Sequence, residues 1–274
     1  MVMGGAGSAG RRIYGVVVGI VSDNNHPDGE YRVKVKFPWI RSTDPGSNDD
    51  EDFFSSWARI STPMAGPGRG MYLLPEVEDE VLVMFEHGDV RFPVVVGSLW
   101  NGKDLPPVAG KAPAATTDPL GVDLGIGDAC VDTADKGANN RARFFYSRSG
   151  HMLLFDDAAD QKDEKIVLKT ARGHTIVLND KDGKEGIAVY DSKGDEYLYL
   201  DEKNKKIILE TKNGDIDILC KKGTLNIEAK DIKMKASKTV GLESGTTWAQ
   251  KAGSTMDVKA ASNITVKGAK IDLN

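Results

Sequence analysis

The sequence predicts an all-β protein in which a small barrel precedes a long β-helical needle. Six candidate strands lie within about the first hundred residues and are separated by turn-forming residues. Strand-like segments resume near residue 141, and the spacing of their apolar centres shortens along the chain from ten or eleven residues to eight. From about residue 231 the eight-residue repeat is strict, which is typical of stacked units and not of one compact core.

Composition narrows the functional class. Aromatic residues make up only 7% of the 274 residues, and the 30 glycines suit a turn-rich β protein. The formal net charge of −5 gives no general attraction to nucleic acid. No apolar run reaches the roughly 20 residues of a membrane span, and the first residues lack the apolar core of a signal peptide. We therefore expect synthesis in the cytoplasm without a signal peptide.

Turn signals and composition divide the sequence into four segments. Residues 1–10 are predicted to be a flexible leader, 11–105 a barrel domain, 106–140 a linker, and 141–274 the needle, with repeats strongest over 231–270. The acidic stretch Asp44–Asp52 is predicted to be a loop. The predicted barrel strands are Tyr14–Val21, Arg32–Phe37, Trp57–Ser61, Gly70–Leu74, Glu80–Glu86 and Pro93–Leu99.

The eight-residue repeat predicts strands joined by corners. A helix would drift about 80° at each step of eight residues, whereas an apolar-x-apolar pair is the alternation of a half-buried strand. The small residues of the corner phase are Ser237, Gly245, Gly253, Ala261 and Ala269. Each octad therefore reads as a short strand followed by a tight turn.

One octad is too short to close a coil by itself, so the needle is predicted to be a parallel, intertwined, triple-stranded β-helix. If each octad covers a third of a turn, three copies of the chain close a prism and bury the apolar pairs on its axis. The predicted trimer-core residues are Ile216, Ile218, Leu225, Ile227, Ile232, Met234, Val240, Leu242, Met256, Val258, Ile264 and Val266.

At this point several segments resemble the central spike proteins of contractile injection systems. Matching motifs are YRVKVKFPW (Tyr31–Trp39), GRGMYLLP within Trp57–Pro106, and the closing GSLWNG. RSGHMLLFDD (Arg148–Asp157) and GHTIVLND (Gly173–Asp180) are similar to the start of the needle in the same proteins. The family comprises phage tail-spike and baseplate protein V modules and the VgrG proteins of type VI secretion.

The resemblance implies an OB-fold barrel and a homotrimeric spike that a contracting sheath drives through a target membrane. No hub domain precedes the barrel, so a separate hub or baseplate ring protein is expected at the OB end. No effector segment follows the needle. The end of the sequence is therefore expected to dock a separate PAAR-like tip protein through Ile271, Asp272, Leu273 and Asn274. Whether the machine is a phage tail, a type VI system or an extracellular particle stays open.

Residues that carry chemistry are few, and the sequence predicts a non-catalytic protein without metal or cofactor. His26 and His87 are predicted to be solvated in turns, and His151 and His174 to lie at needle corners. Asp156 and Asp157 are predicted to lie in a solvated loop. No histidine follows position 174, so the iron-binding H-x-H pair of some phage spikes is not expected.

Two other functions are glycan binding or hydrolysis by the needle, and nucleic-acid binding by the barrel. A β-helical tail fibre with glycan-binding or glycosidase activity would also be trimeric, but should carry more aromatic residues in the needle than Trp248 alone after Tyr199. Nucleic-acid binding by the barrel needs a basic face. Residues 11–107 carry ten Lys and Arg against fifteen Asp and Glu, which argues against it.

Gln250 and Trp248 interrupt the apolar pattern, and either they face the axis or they turn outward in a looser octad. If three Gln250 side chains meet on the axis, their hydrogen bonds set the register of the chains. We then expect Gln250→Leu to change the melting temperature of the trimer or its homogeneity, measured by calorimetry and mass photometry. Unchanged melting and unchanged oligomeric state would rule out a register role.

Overall fold

The structure is a computed structural model that describes residues 12–41, 52–106, 142–157 and 164–271. The chain divides between Ile216 and Asp217 into two units. Within the four described ranges the only helical segment is a 3-10 turn at Glu86–Gly88, and no helix there is long and apolar enough to cross a membrane. The predicted all-β class is confirmed.

Eight strands make up the N-terminal part of the first unit. They are β1 (Val16–Asp23), β2 (Arg32–Arg41), β3 (Asp52–Phe54), β4 (Ala58–Ile60), β5 (Ala65–Gly66), β6 (Arg69–Gly70), β7 (Glu80–Phe85) and β8 (Pro93–Leu99). Five of them close a barrel in the order β1-β2-β4-β8-β7, and β7 returns to pair with β1. The β4–β8 pair is parallel and the other barrel pairs are antiparallel. This is the five-stranded barrel of an OB fold.

Strict alternation along the strands builds the barrel core. Val33, Val35 and Phe37 of β2 point inward and are fully buried, as are Val81 and Val83 of β7. Gly19 of β1 faces the side chains of Val35 and Phe37 on the paired strand β2. These side chains fill the space that a side chain at position 19 would need. The barrel therefore depends on one small residue opposite its largest buried one.

The predicted barrel strands agree with the structure except at one segment. Gly70–Leu74 was predicted to be a strand, but only Arg69–Gly70 pairs, in a two-stranded ribbon with Ala65–Gly66. The prediction was wrong because the apolar residues after Gly70 are exposed, with Tyr72 at 71%. Asp52 begins β3, a short strand on the outer side of β2, and the rest of the predicted Asp44–Asp52 loop lies outside the described residues.

A seven-stranded antiparallel sheet follows in the same unit. Consecutive strands pair with one another throughout, so the sheet is a simple meander. Its strands are β9 (Ala142–Tyr146), β10 (Met152–Asp156), β11 (Lys165–Lys169), β12 (Thr175–Asn179), β13 (Gly186–Tyr190), β14 (Glu196–Asp201) and β15 (Lys206–Thr211). The sequence predicted this region as the wide part of an intertwined needle, whereas each strand pairs here with its neighbour in the same chain.

Two turns of this sheet share the pattern Ser/Thr-x-x-Gly-His. The backbone N–H of His151 donates to Ser147 Oγ at 2.9 Å, and the N–H of His174 donates to Thr170 Oγ1 at 3.1 Å. Gly150 and Gly173 have φ of 91° and 102°, values that glycine adopts without strain. Both histidines lie at corners, as predicted.

The second unit keeps the eight-residue period in its backbone. Bends occur at 237–238, 245–246, 253–254 and 261–262, with a further bend at 269. These are the positions that the sequence assigns to corners. No strand pairing forms among residues 217–271 within one chain, so the β-helix and its homotrimer stay predictions.

The tight packing at Gly19 is testable. A Cβ at Gly19 would lie 2.3 Å from Val35 Cγ1 and 3.0 Å from the Phe37 ring, so Gly19→Ala should overpack the barrel and destabilise it by about 1–3 kcal/mol. Gly97→Ala is the matched control, because nothing lies within 4 Å of a Cβ there. Urea unfolding monitored by fluorescence measures both. Equal midpoints for the two variants would contradict the packing argument.

Candidate self-assembly surface

One face of the seven-stranded sheet carries apolar side chains, mostly aliphatic with two phenylalanines, and all of them but the half-buried Leu153 are exposed to water. Register places them in two rows that run across the strands. The first row is Phe145, Leu153, Leu168, Ile176, Val189, Leu198 and Leu209, and the second is Phe155, Ile166, Leu178, Ile187, Leu200 and Ile207. We call these two rows the aliphatic face. Its residues are exposed by up to 76%, at Ile207.

The opposite face of the same sheet is buried although it is more polar. Asp156, Lys169, Thr175 and Asn179 lie there among Leu154, Val167 and Val177, and all are at least nine-tenths buried. Asp156 was predicted to be solvated, but it ends β10 and lies 3.4 Å from Lys165 Nζ on the next strand. The chain thus covers its mixed face and leaves its aliphatic face in water.

Such an inversion is unusual for a soluble monomer. Large contiguous apolar patches on soluble proteins mark interaction surfaces. Alternation with a period of two means that the aliphatic residues share one side of every strand, so the patch is continuous across the sheet. The aliphatic face is therefore the strongest candidate for an assembly surface in the first unit.

The predicted trimer-core residues are exposed in the single chain. Their exposure runs from 47% at Ile216 to 70% at Met234, and Trp248 is 51% exposed. The described chain brings none of them together into a core, so their burial on a trimer axis stays a prediction. Of the predicted tip-docking residues, Ile271 is 49% exposed, and Asp272, Leu273 and Asn274 lie outside the described residues.

The barrel and the sheet are connected by an ion pair. Arg148, in the turn between β9 and β10, places Nη1 3.0 Å from Glu76 Oε2 of the segment before β7. Both side chains are largely exposed, so the pair adds little to stability and serves mainly to orient the turn. Over the described residues, no group of three His, Cys, Asp or Glu side chains is placed to hold a metal ion.

Comparison with known proteins places the barrel in a defined family. Residues 17–100 match the family described as the type VI secretion system/phage-baseplate injector OB domain. The chain is 36% identical over 93 residues to the type VI secretion system spike protein VgrG2a of Pseudomonas aeruginosa. It is 37% identical over 102 residues to the spike protein VgrG4b of the same organism. It is 35% identical over 91 residues to the actin cross-linking toxin VgrG1 of Vibrio cholerae.

These matches cover about a third of this chain, namely 34%, 37% and 33% for the three relatives in that order. They cover 10%, 12% and 8% of the relatives' own lengths. The likeness to these relatives is therefore evidence about one domain of this chain and not about the residues outside it.

The turn between β13 and β14 gives the sheet a pH-dependent element. Burial alone would raise the pKa of Asp191, but backbone N–H groups, including those of Lys193, Asp195 and Glu196, donate to its carboxylate and lower the pKa to about 2. A depressed pKa stabilises the fold above the unfolded value of 3.8 and loses that contribution as the pH falls toward 2.

We therefore expect the melting temperature of the protein to fall more steeply between pH 5 and pH 2 than that of Asp191→Asn, which keeps an acceptor oxygen without the charge. Scanning calorimetry at matched ionic strength measures both profiles. Parallel profiles would show that the carboxylate of Asp191 has the same pKa in the folded and unfolded chains.

Proposed function

We propose that this chain, whose residues 17–100 match the type VI secretion system/phage-baseplate injector OB domain, is a homotrimeric, non-catalytic spike of a contractile injection apparatus. The observation that carries the proposal is the aliphatic face. It follows an OB barrel of this family in sequence, and it is exposed in one chain.

Association of three copies of the chain would bury the aliphatic face of each copy. Apolar burial contributes about 25 cal/mol for each Å² removed from water, so covering two rows of aliphatic residues is a strong driving force for association. Closed symmetry buries such a face in every copy and leaves none exposed. The same arrangement would place the octad pairs of the second unit on a common axis.

The trimer would work as a mechanical element. In the second unit, strands that pair with neighbouring chains would open only when several chains open together, so force applied at one end would be transmitted to the other. In this proposal the OB barrels seat on a separate hub or baseplate ring protein. The C-terminal end carries a PAAR-like tip protein, and the spike contacts the target membrane transiently as the sheath contracts.

Assembly of the aliphatic face can be tested by a single charge. Leu198 lies in the first row between Val189 and Leu209 and is 37% exposed in one chain. Leu198→Asp should leave the single chain folded but bury three carboxylates in the trimer, at a cost of several kcal/mol. We expect mass photometry to give three times 29.6 kDa for the natural chain and a loss of that species in the variant.

Leu73→Asp is the matched control, because Leu73 is 58% exposed on the barrel domain and lies outside the aliphatic face. It should remain trimeric. A natural chain that stays monomeric at micromolar concentration would overturn the proposal. Electron microscopy of the trimer should show a rod with a wider end, and a trimer without a rod would refute the spike while keeping the oligomer.

A further inference from the structure

The barrel has a cleft of about 590 Å³ that the spike role does not use. Its walls come from four places: the β1–β2 connection, the β3–β4 connection, the β7–β8 connection, and strands β2 and β4. Residues lining it include His26, Arg32, Trp57, Arg59, Arg91 and Phe92. In OB folds the corresponding strands and connections form the surface that binds oligosaccharides and oligonucleotides. The cleft therefore lies where this fold binds ligands.

Three arginines lie together in the cleft. Arg32 of β2 and Arg59 of β4 are direct cross-strand partners, and Arg91 adds a third guanidinium to the same lining, which also includes Glu86. Three guanidinium groups around one cleft favour an anionic ligand.

Each of these arginines is held by a carboxylate in the ligand-free chain. Arg32 pairs with Glu30, Arg59 with Glu86, and Arg91 with Asp89. Exposed ion pairs contribute little, so a ligand carboxylate can compete for Arg32 and Arg59, whose pairs are partly exposed on both sides. Arg91 is held more firmly, because its Nε and Nη2 donate to both carboxylate oxygens of Asp89. A guanidinium offers five N–H donors suited to bidentate carboxylate binding.

Aromatic rings form the second component of the cleft. The ring of His26 meets the ring of Trp57 at 4.7 Å and 63°, and Lys34 Nζ lies 4.9 Å from the Trp57 ring centroid. The sequence predicted His26 to be solvated, but its side chain is only 10% exposed, and Nδ1 accepts a hydrogen bond from Asp28 N–H at 3.2 Å. Trp57 is thereby fixed in place, and Phe92 is 54% exposed beside it in the lining.

We propose that this cleft binds a short acidic oligosaccharide, a chain of sugar rings that carry carboxylates. The C–H faces of sugar rings pack on Trp57 and Phe92, which removes apolar surface from water. The ring carboxylates pair with Arg32, Arg59 and Arg91 in the geometry that guanidinium groups favour.

The charges around the cleft favour this ligand over single-stranded nucleic acid. A nucleic-acid strand needs a basic groove that follows its backbone over several nucleotides. Another cleft of the same barrel is lined by Glu78, Asp79, Glu80 and Asp104, which would repel a phosphate backbone. A short carboxylated glycan makes contact within the arginine cleft alone.

Isothermal titration calorimetry of the full chain tests the proposal. The probes are tetragalacturonate and tetramannuronate, with neutral chitotetraose and an eight-residue oligothymidylate as competing classes. We expect at least one uronate to bind, to bind more tightly than the neutral and nucleotide probes, and to weaken as salt is raised. Arg59→Gln should weaken binding about ten-fold or more, the loss expected for a charge-assisted contact. Trp57→Ala should weaken it by a similar factor, because the substitution removes the ring on which the sugars pack.

Matched controls exist for both variants. Arg69→Gln removes an arginine on β6, and Trp100→Ala removes a tryptophan that is 67% exposed; neither residue lines the cleft. Both should bind like the natural chain. If Trp57→Ala unfolds in a circular dichroism melt, Arg59→Gln decides the matter alone, since its side chain is 60% exposed.

Three results would overturn the proposal. They are no heat from either uronate at millimolar concentration, tighter binding of the oligothymidylate or of chitotetraose than of both uronates, or uronate binding that Arg59→Gln leaves unchanged. None of these results bears on whether the chain is a trimer, so failure here is distinguishable from failure of the spike proposal.

Discussion

The aliphatic face of the sheet β9–β15 is the constraint on which the rest of this molecule depends. A single sheet has two faces, and this sheet covers only one of them. The covered face contains Asp156, Lys169 and Asn179. Asp156 pairs with Lys165 of the next strand, and Asn179 Nδ2 donates to the carbonyl of Lys184 in the turn that follows β12. The face left in water is the one whose exposure costs most. The proposed association with further copies would remove that cost.

The barrel solves the same problem within one chain. Its five strands return on themselves, so the inward row of Val33, Val35 and Phe37 needs no partner chain. Closure also removes the free edges that an open sheet leaves unpaired. The outer surface of the barrel is thereby available for other contacts, and the arginine cleft lies on it. The barrel core is complete within one chain, whereas the sheet leaves its aliphatic face exposed. These properties fit the proposal that the barrel docks on another component and that the sheet assembles with further copies.

Sequence reasoning predicted the elements that depend on local pattern. The corners at 237, 245, 253 and 261 follow from small residues at a fixed interval, and the structure bends there. It did not predict features set by distant residues. The His26 side chain is only 10% exposed because Trp57, thirty-one positions away, packs against its ring. The antiparallel pairing of β9–β15 was missed because alternation shows which side chains share a face, but not which strand lies alongside or in which direction.

The C-terminal unit combines two deficits in the same residues. Strands need backbone partners, and residues 217–271 form no strand pairs within one chain. Apolar side chains need cover, and the octad pairs such as Ile264 and Val266 are 55% and 68% exposed. Unpaired backbone groups alone could be hydrogen-bonded by water, and exposed apolar side chains alone could be covered by a small ligand. In the proposed trimer, strands from other copies at the same repeat would supply backbone partners and apolar cover together, and a period of eight would let every octad be completed in the same way.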